Sequence, residues 1–315
     1  MQTRKLGFTD LYLSTVGFGA ASVGGGQPYA NRQRDDDESI ATIHRALDLG
    51  INWIDTAPSY GHGHAEELVS RALAGRSERI AVATKCGRRY LDDGSSYPSL
   101  KAEDLRLEVE TSLRRLQIET IDLYQIHWPR PDEQLEEGWA AIADLIREGK
   151  VRYAGVSNFS LAQLERVQAI HPVASLQPPY SMLNRDIEAE LLPYCADHQI
   201  GVVVYSPMQS GLLTGKFTRE TVESLPPGDW RLHQRQFREP GLTHSLEVAE
   251  RLRPIAERYG RPLGQLAVAW TLHNPAVTSA IVGARRPSQI EESAPAGDWV
   301  LPDAAMAEIE ALLVA

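Results

Sequence analysis

Gly201-Val202-Val203-Val204-Tyr205-Ser206 is the stretch on which the fold turns. Three consecutive valines leave no polar face. A strand built from them is buried on both sides, as in a parallel sheet covered by helices. The polar residues come only at its end, as Tyr205 and Ser206. Seven other short apolar runs share this character: residues 16–20, 52–55, 80–85, 121–127, 151–156, 174–177 and 279–282. Amphipathic segments lie between them. Ile40, Ile43 and Leu47 recur at helical spacing, as do Leu105, Val109, Leu113 and Leu116, and Leu135, Trp139, Ile142 and Ile146. Such regular alternation of strand and helix implies a parallel sheet.

Eight strands, each followed by a helix, is the count for a closed (β/α)8 TIM barrel, an α/β fold. A doubly wound open sheet is the competing architecture. No linker or composition shift divides the chain, so residues 1–315 read as one domain. Residues 2–13 precede the first barrel strand and are expected to form a short hairpin turning near 7–10. Two segments exceed ordinary loop length: 87–99 after the third strand and 211–243 after the seventh. Both fall on the face where barrel active sites form. Residues 303–313 read as a terminal helix.

The 315 residues are 43% hydrophobic and 23% charged, the balance of an ordinary globular protein with a core of its own. The net charge of −10 argues against a general affinity for nucleic acid or an anionic membrane. Cys86 and Cys195 follow no metal spacing and form no disulfide framework, which fits a reduced chain. Residues 1–15 mix charge and polarity, so no signal peptide is expected, and no run approaches the apolar length of a bilayer span. A cytoplasmic location follows as the expectation. No subunit-interface motif stands out.

The unusual polar residues fall at the C-terminal ends of the strands. Asp55 ends the second, with Tyr60 just beyond; Lys85 ends the third and His127 the fourth. In a barrel these converge on one mouth. A tyrosine is a poor acid at neutral pH, with an ordinary pKa of about 10. A nearby ammonium such as Lys85 favours its phenolate, Asp55 can keep that lysine charged and oriented, and His127 can donate to a carbonyl oxygen. The group can therefore protonate an alkoxide forming on a carbonyl carbon. It contains no nucleophile–base pair and no metal set, so it needs an external hydride donor, which points to a nicotinamide cofactor.

Ile54-Asp55-Thr56-Ala57-Pro58-Ser59-Tyr60-Gly61, Ala83-Thr84-Lys85, Gln125-Ile126-His127-Trp128, Gly155-Val156-Ser157-Asn158-Phe159, Gln177-Pro178-Pro179-Tyr180, Tyr205-Ser206-Pro207 and Gly283-Ala284-Arg285 occur in this order. In these motifs the chain resembles the aldo-keto reductase family, from about residue 4 to 313. The resemblance implies a barrel, NADPH or NADH as hydride donor, and a catalytic tetrad of Asp55, Tyr60, Lys85 and His127. It further implies that Ser157, Asn158 and Gln177 hold the nicotinamide amide and that Tyr205 stacks on its ring. Ser206, Gly211, Leu213 and Lys216 would line the pyrophosphate path. Gly283, Arg285, Gln289 and Glu292 would reach the adenosine end, with Arg285 at a 2′-phosphate. Residues 287–293 look like the start of the last helix, and phosphates favour helix N-termini. Where the family commonly has Asn after this Glu, the chain has Ser293. The implied substrate is a small carbonyl compound. Two other roles are open to such a barrel: a sugar or alcohol dehydrogenase working in the oxidative direction, and a slow-turnover nucleotide-binding regulatory subunit.

Blander readings exist for each residue. Asp55 alone is an ordinary turn residue, and Lys85 an ordinary solvated strand end; their joint placement with Tyr60 and His127 favours chemistry. Ser157-Asn158 can cap the helix starting near Leu161 as well as bind cofactor. Trp128 either walls the substrate pocket or packs behind it. Arg231, Arg235 and Arg238 are expected to face solvent. Cys86 should point away from Lys85 into the core. Gly17-Phe18-Gly19 with 24–26 hints at a dinucleotide fingerprint, but the spacing is incomplete and no helix follows promptly. Tyr97-Pro98-Ser99-Leu100-Lys101 matches a Tyr-x-x-x-Lys pattern, but Pro98 drives Tyr97 toward an extended conformation, off any shared helical face.

Overall fold

A computed structural model describes residues 1–25, 35–91 and 93–314. Gly26 of the rejected fingerprint and Asp92 of the first long loop lie outside the described residues. In chain order the strands are β1 (Thr3–Lys5), β2 (Tyr12–Ser14), β3 (Val16–Gly19), β4 (Trp53–Asp55), β5 (Ala81–Cys86), β6 (Arg88–Tyr90), β7 (Ser96–Pro98), β8 (Ile121–Ile126), β9 (Val151–Ser157), β10 (Ser175–Gln177), β11 (Gly201–Tyr205) and β12 (Val277–Gly283). The eight strands β3, β4, β5, β8, β9, β10, β11 and β12 form one closed parallel barrel. The register of Ala280 on Val16 through Gly283 on Gly19 joins the last strand to the first and rules out the open sheet. Each expected barrel strand is found to within two residues.

The helices are α1 (Asp36–Asp48), α2 (His64–Leu73), α3 (Ala102–Leu116), α4 (Leu135–Arg147), α5 (Leu161–Gln168), α6 (Leu191–Asp197), α7 (Arg219–Glu223), α8 (Gly241–Arg258), α9 (Leu263–His273), α10 (Pro287–Ser293) and α11 (Asp303–Val314). The helical spacings of residues 40–47, 105–116 and 135–146 fall in α1, α3 and α4. Three expectations need correction. The segment 211–243 is broken by short helical turns, and α8 already begins at Gly241. Arg231 does not face solvent: its guanidinium bonds Asp229 at 2.7 Å and lies over the Phe217 ring at 5.7 Å. Residues 287–293 are a separate seven-residue helix rather than the start of the last one. Pro295 and Gly297 interrupt the chain there before α11 begins, since proline removes a helical donor. The segment 87–99 is a hairpin, with Arg88 opposite Pro98 and Tyr90 opposite Ser96. Tyr97 therefore lies in β7 and Lys101 caps α3, so the two share no helical face.

Strand alternation sorts the barrel side chains into two layers. Phe18, Ile54, Val82, Tyr124, Val156, Leu176, Val202, Val204 and Val282 face outward into the core beneath the helices. Trp53, Ala83, Leu123, Val203 and Ile281 face inward and pack with Leu6, Leu11 and Leu13. These leucines come from the β1–β2 hairpin and its flank, so the hairpin stoppers the N-terminal end of the barrel. The Trp53 indole N–H donates to Ser14 O at 3.2 Å and Ser279 Oγ at 3.1 Å. A β-carbon at Gly17 would overlap that indole. Gly17, which hinted at a nucleotide fingerprint, is thus a packing glycine.

Behind β5, Glu108 of α3 fixes the strand's exit. Its Oε2 accepts the backbone N–H of Gly87 at 3.0 Å and of Arg88 at 3.3 Å. Burial pushes the Glu108 carboxyl up to about 8 against the pull of these two donors. Cys86 points into the same outer layer, 3% exposed, and burial raises its thiol as well.

Two outcomes follow from this packing. Gly17→Ala should destabilise the fold by about 1–3 kcal/mol through overpacking against Trp53, read as a lower urea midpoint; an unchanged midpoint would contradict the stopper geometry. The raised pKa of Glu108 means the native state holds a proton that the unfolded chain releases from its ordinary value of 4.5 upward. Its contribution therefore declines as pH rises from about 4.5 to about 8, by on the order of a few kcal/mol. Glu108→Gln should flatten that decline in urea titrations run across the same range.

Candidate active site

Three strand ends and one turn bring the tetrad together. Asp55 closes β4, Lys85 lies one residue before the end of β5, and His127 follows β8. Tyr60 sits in the turn between β4 and α2. The pairing of Asp55 with Ala83 and of Lys85 with Gln125 sets these ends level. Lys85 has no exposure and Asp55 only 3%. Lys85 Nζ donates to Asp55 Oδ2 at 2.6 Å, to Thr56 O at 2.9 Å and to Tyr60 OH at 3.2 Å. An ammonium has three N–H donors, so all of them are used. Burial works against the Lys85 charge, but the Asp55 carboxylate, and then Tyr60, outweigh it and raise its pKa above the usual lysine value.

The His127 ring meets the Tyr60 ring edge-on, with centroids 6.0 Å apart. Its backbone is pinned on both sides: its N–H donates to Cys86 O at 3.0 Å, and its carbonyl accepts Asn158 Nδ2 at 3.0 Å. Burial first, then Lys85 and Arg88, hold its imidazole well below the ordinary histidine range. At neutral pH it is therefore uncharged and can give one N–H to an oxygen placed against it. Trp128 is 48% exposed and lies nearly parallel to His127. It stands at the rim of the mouth and is not packed behind the site.

One residue given no role by the sequence joins the tetrad. Gln125 Nε2 donates to Asp55 Oδ1 at 3.3 Å, beside Gln177 Nε2 at 2.8 Å. Both are buried. Gln125 stands two residues before His127 inside a quoted motif, and the two-residue strand period alone would have placed it on the inner face.

The residues of the implied cofactor site follow in an arc along β9 to β12. Ser157 Oγ donates to Gln177 O at 2.8 Å. Asn158 adopts φ 62°, and its Oδ1 accepts Tyr205 OH at 2.8 Å. Neither caps α5, because Ser160 does so in a capping box with Gln163. Ser206 and Gly211 also have positive φ, 57° and 110°. Leu213 is buried. Lys216 and Glu292, which the resemblance set at different parts of a dinucleotide, bond each other at 2.6–2.7 Å. Gly283 ends β12, and the Arg285 N–H donates to Gln289 Oε1 at 2.8 Å. Among the described residues the Arg285 guanidinium makes no ion pair, whereas Arg286 lies 3.7 Å from Glu38. Pro287 begins the seven-residue α10 and has no N–H to offer a phosphate. Amide groups, one aromatic face and an unpaired guanidinium form a donor set that suits a nicotinamide dinucleotide.

A family model described as the aldo/keto reductase family matches residues 15–314. The chain is 37% identical over 316 residues to the aldo-keto reductase YhdN of Bacillus subtilis, covering 99% of this chain and 94% of that one. It is 37% identical over 317 residues to the NADH-specific methylglyoxal reductase of Escherichia coli, covering 96% of each. Among solved structures, the glycerol dehydrogenase AKR11B4 from Gluconobacter oxydans superposes with a TM-score of 0.89 at 36% identity, covering 99% of this chain and 95% of that one. With the barrel and the whole-chain similarity in accord, this chain belongs to the aldo/keto reductase family of NAD(P)H-dependent oxidoreductases.

Proposed function

We propose that the chain reduces an aldehyde or ketone to its alcohol, with NADPH as the preferred donor and Tyr60 as the proton source. The observation that carries this reading is the Lys85 ammonium, 3.2 Å from Tyr60 OH and 2.6 Å from Asp55. A nicotinamide, when bound, would supply the hydride to the carbonyl carbon. The remaining work belongs to the chain. His127 gives an N–H to the carbonyl oxygen and directs it. The C=O π pair moves onto that oxygen and takes the proton from Tyr60, whose O–H bond breaks. The phenolate left behind faces Lys85, whose charge Asp55 sustains.

Ser157, Asn158 and Gln177 would hold the carboxamide in this reading, and Tyr205 would face the ring. Ser206, Gly211, Leu213 and Lys216 follow the pyrophosphate. Gly283, Arg285, Gln289 and Glu292 receive the adenosine end. The unpaired Arg285 guanidinium supports a 2′-phosphate, although one relative carries the name of an NADH-specific enzyme. A second reading runs the same geometry backwards as an alcohol dehydrogenase, with Tyr60 accepting the proton. The similarity to a glycerol dehydrogenase favours testing both directions. The free, buried Cys86 and Cys195 suit a reducing compartment, and we assign the protein to the cytoplasm.

Tyr60→Phe should lower kcat about 10²–10⁴-fold while NADPH binding, followed by fluorescence quenching, stays within about threefold. A variant reducing a good aldehyde at the wild-type rate would refute the proton assignment. Arg285→Ala should lower the NADPH-to-NADH ratio of kcat/KM about tenfold or more, and an unchanged ratio would remove Arg285 from the phosphate site.

A further inference from the structure

The β6–β7 hairpin carries arginines to the rim of the mouth, and strand alternation separates them. Arg89 reaches Asp104 of α3 at 3.8 Å and so faces outward. Arg88 and Tyr90 take the opposite face. There Tyr90 meets His62 edge-on at 5.3 Å, two residues beyond Tyr60. Arg88 Nε donates to Ser96 Oγ across the hairpin at 2.9 Å, which holds the guanidinium in place. The charge of Arg88 reaches His127. Arg130 lies over the ring of Trp128 at 6.0 Å, and that ring is stacked on His127.

Among the described residues neither Arg88 nor Arg130 forms an ion pair. Elsewhere in this acidic chain, with its net charge of −10, arginines are commonly matched with carboxylates: Arg106, Arg166, Arg185 and Arg258 each sit on a glutamate. Among the described residues, two acidic side chains near the mouth are already engaged. Asp55 holds Lys85, and Glu108 lies beneath, bound to backbone N–H groups. Two guanidiniums without carboxylates therefore stand near the histidine that directs the carbonyl, one acting on His127 and one over its neighbour Trp128. A guanidinium offers paired donors suited to a carboxylate or phosphate.

We propose that Arg88 and Arg130 form an anion-selecting rim, and that the preferred substrates are carbonyl compounds carrying a carboxylate or phosphate. This rests on the carbonyl-reductase reading above. The anionic group would rest on the rim while the carbonyl reaches inward to Tyr60 and His127. The field of the rim would also draw such substrates in, an effect that salt screens.

The test measures kcat/KM with NADPH on two matched pairs: 4-oxobutanoate against its methyl ester, and glyceraldehyde 3-phosphate against glyceraldehyde. At low ionic strength the anionic member of at least one pair should be favoured about tenfold or more, mainly through KM. The advantage should shrink as salt rises and collapse in the double variant Arg88→Gln, Arg130→Gln. Which pair shows the preference identifies carboxylate or phosphate as the recognised group. Equal values in both pairs, or a preference that survives the double substitution, overturns the rim. Turnover of the neutral aldehydes without such a preference leaves the carbonyl-reductase reading standing. Absence of turnover on all four compounds in wild-type enzyme overturns that reading and the rim together.

Discussion

A lysine ammonium with no exposure to water is the constraint around which this molecule is organised. Lys85 is tolerated because Asp55, the Thr56 carbonyl and the Tyr60 hydroxyl take its three N–H donors. Asp55 is tolerated in turn because Gln125 and Gln177 occupy its second oxygen. Buried charges are stabilising only when such a network is complete, since a missing partner leaves an uncompensated charge in a poorly solvating interior. The residues of the network come from β4, β5, β8, β10 and the turn after β4. A closed barrel sets those strand ends level, and an error in register would break the network at several points at once. Fold and chemistry are therefore held by one set of contacts.

The two faces of β5 do different work. Inward stand Ala83 and then Lys85. Outward, Cys86 faces the layer that holds Glu108, whose carboxyl oxygen takes the N–H groups of Gly87 and Arg88. The strand thus leaves the barrel at a defined point, and the hairpin beyond it carries Arg88 to the mouth. A helix residue on the outside of the barrel determines where a side chain on the inside begins its reach.

The parts legible in the sequence were those with local signals. Apolar runs such as Val202–Val204 marked the strands, helical spacing marked the helices between them, and polar residues at strand ends marked the mouth. The parts that escaped depend on contacts between distant residues. Nothing near Lys216 announces Glu292 as its partner, 76 positions away. The pairing of Arg231 with Asp229 is local, but the burial of both depends on Phe217 and the folded segment around it. Gln125 lay between these cases: the strand period would have placed it inward, but its partner Asp55 is 70 positions away. The hairpin within 87–99 was obscured because its strands are three residues each, too short for a pattern.

The hairpin at the other end of the barrel has a consequence of its own. Leu6, Leu11, Leu13 and Trp53 close the base with apolar side chains packed against one another. Among the described residues the barrel is thus a cup closed at its N-terminal end rather than a tube. Reactants and products must then share one doorway, and a product leaves past the same side chains that admitted its precursor. Traffic through this protein is governed wholly at the rim.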